Sequence, residues 1–429
     1  MKKLIKICLL AAVLAALALA ACNTAAEGDE VNVDDLVVVT PSPTPTPVQT
    51  PSPTPTPSLA PTPAPRENIA AIGTTFAVTN GGRFAIQPDG SLWALGRDGT
   101  HVQILDNVVD IHICFLDRHF ALTYYGVLWG WGENRIGRLG DGTMESRPSP
   151  VKIMDSVVTF SACQHVAMAV RADGSLWAWG SNSRGELSDG TTENRLSPVM
   201  IMTDVVDVLV NNSRTMVIRT DGSLWSLGPH NYPMRILDDV ATVSVGIDHT
   251  AAITQDGGLW TWGDNWYGQL GHAGESRYPV RMMDDVVAVL AADTAGYRNY
   301  GYTLAIRTDG SLWGWGHGIN AGPFCWYSYS PWSSWYNPVP GKLLDNVASI
   351  AGGLHNAFAI TYDGNLWNLS DISGDIVWLM DEVTAISPGW SQALAARTDG
   401  SLWIWGEPFG HYWADPQSPK QIMDAVLLP

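Results

Sequence analysis

From residue 67 onward, short apolar runs recur at near-regular intervals and are punctuated by Asp-Gly. Asp-Gly-x-Leu-Trp begins at 89, 173, 221, 256, 309, 363 and 399, and a degenerate copy, YGVLW, begins at 125. These eight copies lie 35 to 54 residues apart. Around each copy the order is constant. A β-branched run such as "VVDVLV" leads to "RTMVIRTDG", then to "SLWSLG", and a variable stretch ends in a segment such as "PVKIMD". This pattern predicts four strands, A to D, in every unit. Asp-Gly between two apolar runs is a strong hairpin signal, and a type I′ turn is expected to join B to C.

In strand C, "SLWAWG" is apolar at both parities: Leu176 and Ala178 point one way, Trp177 and Trp179 the other. A sheet with one wet face would alternate with polar residues. A sheet apolar on both faces must be covered on both, which four-stranded sheets stacked around a ring achieve. The expected fold class is therefore all-β, a β-propeller of four-stranded blades, with a solenoid as the alternative.

"DGSLWAWGSNSRGELSDGT" (173–191), "DGGLWTWGDNWYGQLG" (256–271) and "WGENRIGRLGDGT" (131–143) resemble the repeat of the regulator of chromosome condensation family, with its Trp-Gly-x-Asn-x-x-Gly-x-Leu-Gly core. The resemblance spans about residues 68 to 425 and implies the family's propeller fold. Units 1, 4, 6 and 7 lose the Asn-x-x-Gly-x-Leu-Gly part, and units 1, 4 and 7 carry Leu95, Leu227 and Leu369 for the second tryptophan. Family members have seven blades. Eight units favour eight blades here, with seven as the alternative, and "VLLP" at the C-terminus is expected to close the ring. The resemblance also implies protein binding, since β-lactamase-inhibitor protein II shares this type of propeller and grips its target through loops of one face.

Thirteen of the twenty tryptophans fall on repeat positions and are expected between blades: 93, 129, 177, 225, 260, 313, 367 and 403 after leucine, and 131, 179, 262, 315 and 405 before glycine. Trp378 is expected in the core. Six remain. Trp390 falls in an A–B loop, and Trp266, Trp326, Trp332, Trp335 and Trp413 fall in C–D loops. In an antiparallel meander the A–B and C–D loops open on one face, so all six share it. Tyr267, Tyr327, Tyr329, Tyr336, His411 and Tyr412 join them, as do Tyr297, Arg298 and Tyr300 in a long A–B segment of unit 6. Aromatic residues among serine, glycine and asparagine give rigid contact area with adaptable polar contacts. The expected function is recognition of a protein partner by this face, with a cell-wall or glycan ligand as the alternative. Guanine nucleotide exchange is the remote alternative that the family resemblance implies.

The ends and the charge narrow the setting. Lys2, Lys3 and Lys6 precede an apolar stretch of fifteen residues, Ile7 to Ala21, short for a membrane span and suited to a signal peptide. Leu19-Ala20-Ala21-Cys22 resembles a bacterial lipobox, which implies lipid attachment at Cys22 and anchoring on the extracytoplasmic face of a bacterial membrane. The expected division is a signal peptide at 1–21, a lipidated and proline-rich linker at 22–66, and the propeller at 67–429. The stretch "PSPTPTPVQTPSPTPTPSLAPTPAP" (41–65) reads as an extended spacer, able to reach on the order of 80 Å. A net charge of −18 leaves no electrostatic footprint for nucleic acid. Cys114, Cys163 and Cys325 are too few, and odd in number, for a disulfide framework.

No enzyme is expected, and neither is a cofactor or a metal. His119, His165, His249 and His355 occupy what reads as one slot early in strand B, filled elsewhere by Arg83, Arg214, Tyr302 and Gln392, as scaffold. The repeated aspartates read as turn formers, and no nucleophile elbow, phosphate loop or zinc-protease motif occurs. A monomer is expected.

Overall fold

The computed structural model describes residues 75–78, 83–87, 89–96, 100–114, 118–211, 214–228, 233–294, 300–317, 336–352, 357–369, 376–389, 392–405 and 419–423. These form eight antiparallel sheets of four strands, each strand paired with its neighbour in sequence. The sheets are eight blades, at 75–105, 108–154, 157–202, 205–237, 240–283, 286–344, 347–380 and 383–423. Neighbouring A strands touch around the whole ring, and strand A of blade 1, Thr75–Val78, touches strands A and B of blade 8, Val383–Pro388 and Ala393–Arg397. Eight buried clusters follow, one at each junction between blades. A solenoid would leave two ends open. The ring has none. Residues 426–429 lie outside the described residues. Among those described, the ring closes through contacts between sheets rather than a sheet shared by both chain ends.

The B–C turn differs from the expected type I′. In every blade only the glycine has positive φ, from +75° at Gly126 to +84° at Gly364. Gly174 N–H donates to the Arg171 carbonyl, and Arg171 N–H donates to the Ser175 carbonyl. The connection is thus a three-residue loop ending in a glycine bulge. This geometry explains the rest of the motif. Asp173 Oδ1 accepts from the Ser175 amide (2.9 Å) and hydroxyl (2.5 Å), and Ser175 Oγ accepts from Trp177 Nε1 at 2.9 Å. The same relay stands at 89–93, 221–225, 309–313 and 399–403. Where glycine replaces the serine, at 258, Thr254 Oγ1 takes its place between Asp256 and Trp260. The turn also joins blades: the Gly174 carbonyl accepts from Val205 N–H, the first residue of the next blade, and six other junctions repeat this bond.

The two sets of repeat tryptophans divide labour. Those before glycine are buried, and each packs on the preceding blade. Trp179 Nε1 donates to the Leu139 carbonyl of blade 2, and Trp315 Nε1 to the Gln269 carbonyl of blade 5. Leu95, Leu227 and Leu369 fill the same slot and are buried too. Those after leucine are only half-buried, at the end of strand C next to the B–C turn, where Arg171, Arg219 and Arg397 lie over Trp177, Trp225 and Trp403 about 6 Å from the ring centres. Trp378 is not core. It is 49% exposed on the outermost strand of blade 7, opposite Trp367, and its indole N–H donates to Asn365 Oδ1.

Candidate binding face

Because each blade is an antiparallel meander, its A–B and C–D loops open on one face of the ring, and its B–C turn and D–A link on the other. The C–D loops of blades 2, 3 and 5 are built around one asparagine each. Asn134 is fully buried; its Nδ2 donates to Asp141 Oδ1 (3.0 Å) and the Thr143 carbonyl (3.1 Å), and its Oδ1 accepts from Leu139 N–H at 2.8 Å. Asn182 repeats this with Asp189, Thr191 and Leu187, and Asn265 with His272, Gly274 and Leu270. The leucine so held is fully buried in all three loops. The glycine after it lies under the next blade: a Cβ on Gly140 would meet Trp179 Nε1 at 2.5 Å. In blade 3 that position is Ser188, and the next blade offers Leu227 instead of tryptophan.

These locked loops position the surface residues. Trp266 follows Asn265 and is 71% exposed. Tyr267 is half-buried, edge-on to His317 of blade 6 with ring centres 5.5 Å apart, and its N–H donates to Gln269 Oε1. Trp266 is therefore free to meet a ligand, while Tyr267 is partly committed to the neighbouring blade. Beside them, burial and then Glu275 and Asp248 push the Asp264 carboxyl above its ordinary range.

Blade 6 corrects part of the expectation. Tyr300 and Tyr336 belong to strands: Thr294 pairs with Tyr300, and His317 with Tyr336. Part of the extra length of the A–B segment thus lies in the strands themselves. Strands A and B of blade 6 run for nine and eight residues, against six and six in blade 5. Tyr297, Arg298, Trp326, Tyr327, Tyr329, Trp332, Trp335, Trp390, His411, Tyr412 and Trp413 lie outside the described residues, as do Cys22 and Cys325.

The histidines do not share a slot. His249 pairs with Gly263, His119 pairs with Trp131, and His165 precedes its strand. The position of His249 is held by Arg118 in blade 2 and Tyr302 in blade 6. Three of these residues bridge blades: His249 Nε2 lies 3.1 Å from Thr303 Oγ1, Arg118 Nη2 donates to the Cys163 and Gln164 carbonyls, and Arg214 Nη2 to the Asp248 carbonyl, while His355 lies outside the described residues. No group of three or more metal-ligating side chains occurs among the described residues. On the opposite face Asp155, Asp204, Asp238, Asp284, Asp345 and Asp381 stand exposed in the D–A links, each in an ion pair with a lysine or arginine.

Comparison with known families places the repeat. The regulator of chromosome condensation (RCC1) repeat matches residues 125–170, 173–218 and 256–293, and a second form of it matches 240–269. The chain carries RCC1 repeats. They coincide with blades 2, 3 and 5, whose C–D loops hold the asparagine, and extend into blades 4 and 6. No curated protein matches the chain. Among solved structures, Prp20p from Saccharomyces cerevisiae is 18% identical, with 70% of this chain and 86% of that one covered and a TM-score of 0.50. The yeast RCC1 (Prp20) bound to Kap60 is 17% identical, covering 70% and 84%, with a TM-score of 0.50. Human WBSCR16 is 18% identical, covering 69% and 94%, with a TM-score of 0.51. These likenesses concern the fold. The asparagine at the heart of each of these loops was visible in the sequence as a repeated letter; that its side chain ties the C–D loop together was not.

Proposed function

We propose that this protein is a lipid-anchored, extracytoplasmic binding protein whose RCC1-repeat propeller recognises a protein partner through the A–B and C–D loops of one face. Trp266 carries the reading: a large indole left exposed on a loop whose backbone is pinned by the side chain of the half-buried Asn265. Rigid, exposed aromatic residues are the usual anchors of protein recognition. The acidic group formed by Asp264, Glu275 and Asp248 beside it favours a partner that offers lysine or arginine over an anionic polysaccharide. Relatives in fold have protein partners: the yeast RCC1 structure contains Kap60, and Prp20p is described with Gsp1p and histones. Lipid attachment at Cys22 and a proline-rich spacer would carry the propeller outside the cytosol, where nucleotide exchange on an intracellular GTPase has no substrate. Binding, not catalysis, is the activity.

The test is a crosslinking capture from the native envelope with the full chain, beside Trp266→Ala and Trp332→Ala/Trp335→Ala variants. Wild-type protein is expected to retain a discrete protein, and the variants to retain at least tenfold less at an unchanged melting temperature. Equal capture by all three chains would sink the aromatic-face reading, and a polysaccharide in the wild-type eluate would replace the protein partner.

A further inference from the structure

Where blades 2 and 3 meet on the loop face, two arginines and a histidine come within electrostatic reach of one another. Arg118 opens strand B of blade 2 and is 2% exposed, with its Nη2 on the carbonyls of Cys163 (2.6 Å) and Gln164 (2.9 Å) in the A–B loop of blade 3. His165 is the next residue of that loop and is half-buried. Arg138, also half-buried, stands in the C–D loop of blade 2. The Nε atoms of both arginines are buried without a hydrogen-bond partner. Among the described residues neither guanidinium has a carboxylate within ion-pair distance, although the chain carries a net charge of −18. Glu133, near Arg138, is engaged with Arg135. Burying charge without a counter-charge is costly, and the cost grows when two like charges are neighbours. Burial first, and then Arg118, lowers the Arg138 pKa; burial, Arg138 and Arg118 lower that of His165.

The repeat itself marks Arg138 as out of place. In blades 3 and 5 the residue between Gly and Leu of the loop is Glu186 or Gln269. Each turns back to accept a backbone N–H, from Arg184 at 2.8 Å and from Tyr267 at 2.9 Å. Arginine has no acceptor to offer. At position 138 the repeat gives up a bond that steadies its sister loops and adds a positive charge beside one already buried. A local rule broken with only Glu133 nearby, a carboxylate already engaged by Arg135, points to a ligand as the compensation.

We propose that Arg138 and His165, with Arg118 behind them, form an oxyanion site at the rim between blades 2 and 3, which takes a carboxylate or phosphate group. A guanidinium presents paired N–H donors to either oxyanion, and the buried Arg118 supplies field without needing contact. The site shares the loop face with Trp266 but does not depend on the aromatic residues.

The test is thermal unfolding and calorimetric titration of the full chain in sodium phosphate and in sodium acetate, each against sodium chloride at matched ionic strength. A saturable rise in melting temperature is expected with at least one oxyanion, and the stronger response tells phosphate from carboxylate. Arg138→Gln installs the blade 5 residue. In chloride it is expected to unfold no lower than wild type, and its oxyanion affinity is expected to fall at least tenfold. Trp266→Ala is expected to keep the response. Three results would each overturn the proposal: oxyanions acting no differently from chloride, an equal response in Arg138→Gln, or a lower melting temperature of Arg138→Gln in chloride, which would make Arg138 structural.

Discussion

A single serine links the turn to the tryptophan in five of the eight repeats. In Asp-Gly-Ser-Leu-Trp the serine hydroxyl both donates to the aspartate and accepts from the indole, so its loss leaves a half-buried N–H and a carboxylate each short of a partner. Ser175→Ala is expected to cost about 1–2 kcal/mol, read from denaturant midpoints at unchanged slope. Glycine is constrained more sharply in the C–D loop. Gly140 has φ of +89°, and a Cβ there would press on Trp179. A left-handed residue costs about 1–2 kcal/mol and overpacking a further 1–3. Gly140→Ala is therefore expected to lose roughly 2–5 kcal/mol, whereas Ser188→Gly is expected to cost little, because Ser188 already holds a φ of +55° that glycine adopts without strain and its hydroxyl makes only long contacts with Gly228. Cys114 is buried, and burial foremost pushes its thiol up to about 11. It is expected to resist alkylation at neutral pH until the chain unfolds, as a mass-spectrometric time course would show.

At the scale of the element, the C–D loop is a small structure with its own polar centre. Asn182→Ala removes bonds to Asp189, Thr191 and Leu187 at once. The expected cost is about 2–3 kcal/mol, with faster amide exchange at 183–194 and little change in the strands. The same loop titrates. Burial pushes the Asp189 carboxyl up, but Thr191 and Arg195, 2.6 Å away, outweigh it and bring its pKa from 3.8 to about 2. A depressed carboxylate stabilises the fold above its unfolded pKa and stops doing so as pH falls through the folded one. Melting temperature is thus expected to drop between about pH 4 and pH 2, less steeply in Asp189→Asn. Strands and turn positions were legible in the sequence because apolar periodicity and Asp-Gly report backbone geometry directly. The turn type was not, since Asp-Gly serves both the I′ turn and the three-residue loop, and only hydrogen bonds tell them apart. The histidine slot failed for a related reason: loops of unequal length before strand B shift the register. Trp378 failed because a tryptophan in the last strand faces the rim, which composition does not reveal. Trp266 was found by subtraction, being off every repeat position. Arg138 escaped because it sits inside a matching motif, at a place where any residue was accepted.

At the scale of the whole molecule, counting repeats gave the number of blades, but closure is a property of the ring. Every blade buries two faces, and the eight clusters are of one kind, so no blade is an end cap. The junction of blades 1 and 8 joins residues more than three hundred positions apart in sequence, as in the bond from Arg83 Nε to Gln392 Oε1 at 3.2 Å. Ala85 and Leu95 there pack with Leu394, Ala396, Leu402 and Ile404. A stacked array that loses its terminal unit gives up one interface and keeps the rest. A ring that loses one gives up two, and exposes apolar surface on blades 1 and 7 together. Each face offers several fully buried side chains, at about 25 cal/mol per Å² of surface returned to water, against a total stability of only about 5–15 kcal/mol. A chain stopped after Glu382 is therefore expected to lose its cooperative thermal transition and to become protease-sensitive in blade 1 as well as blade 7. Calorimetry with limited proteolysis decides the matter: a truncated chain melting within a few degrees of the full one would mean that closure contributes little, and that the blades hold together as neighbours in a row.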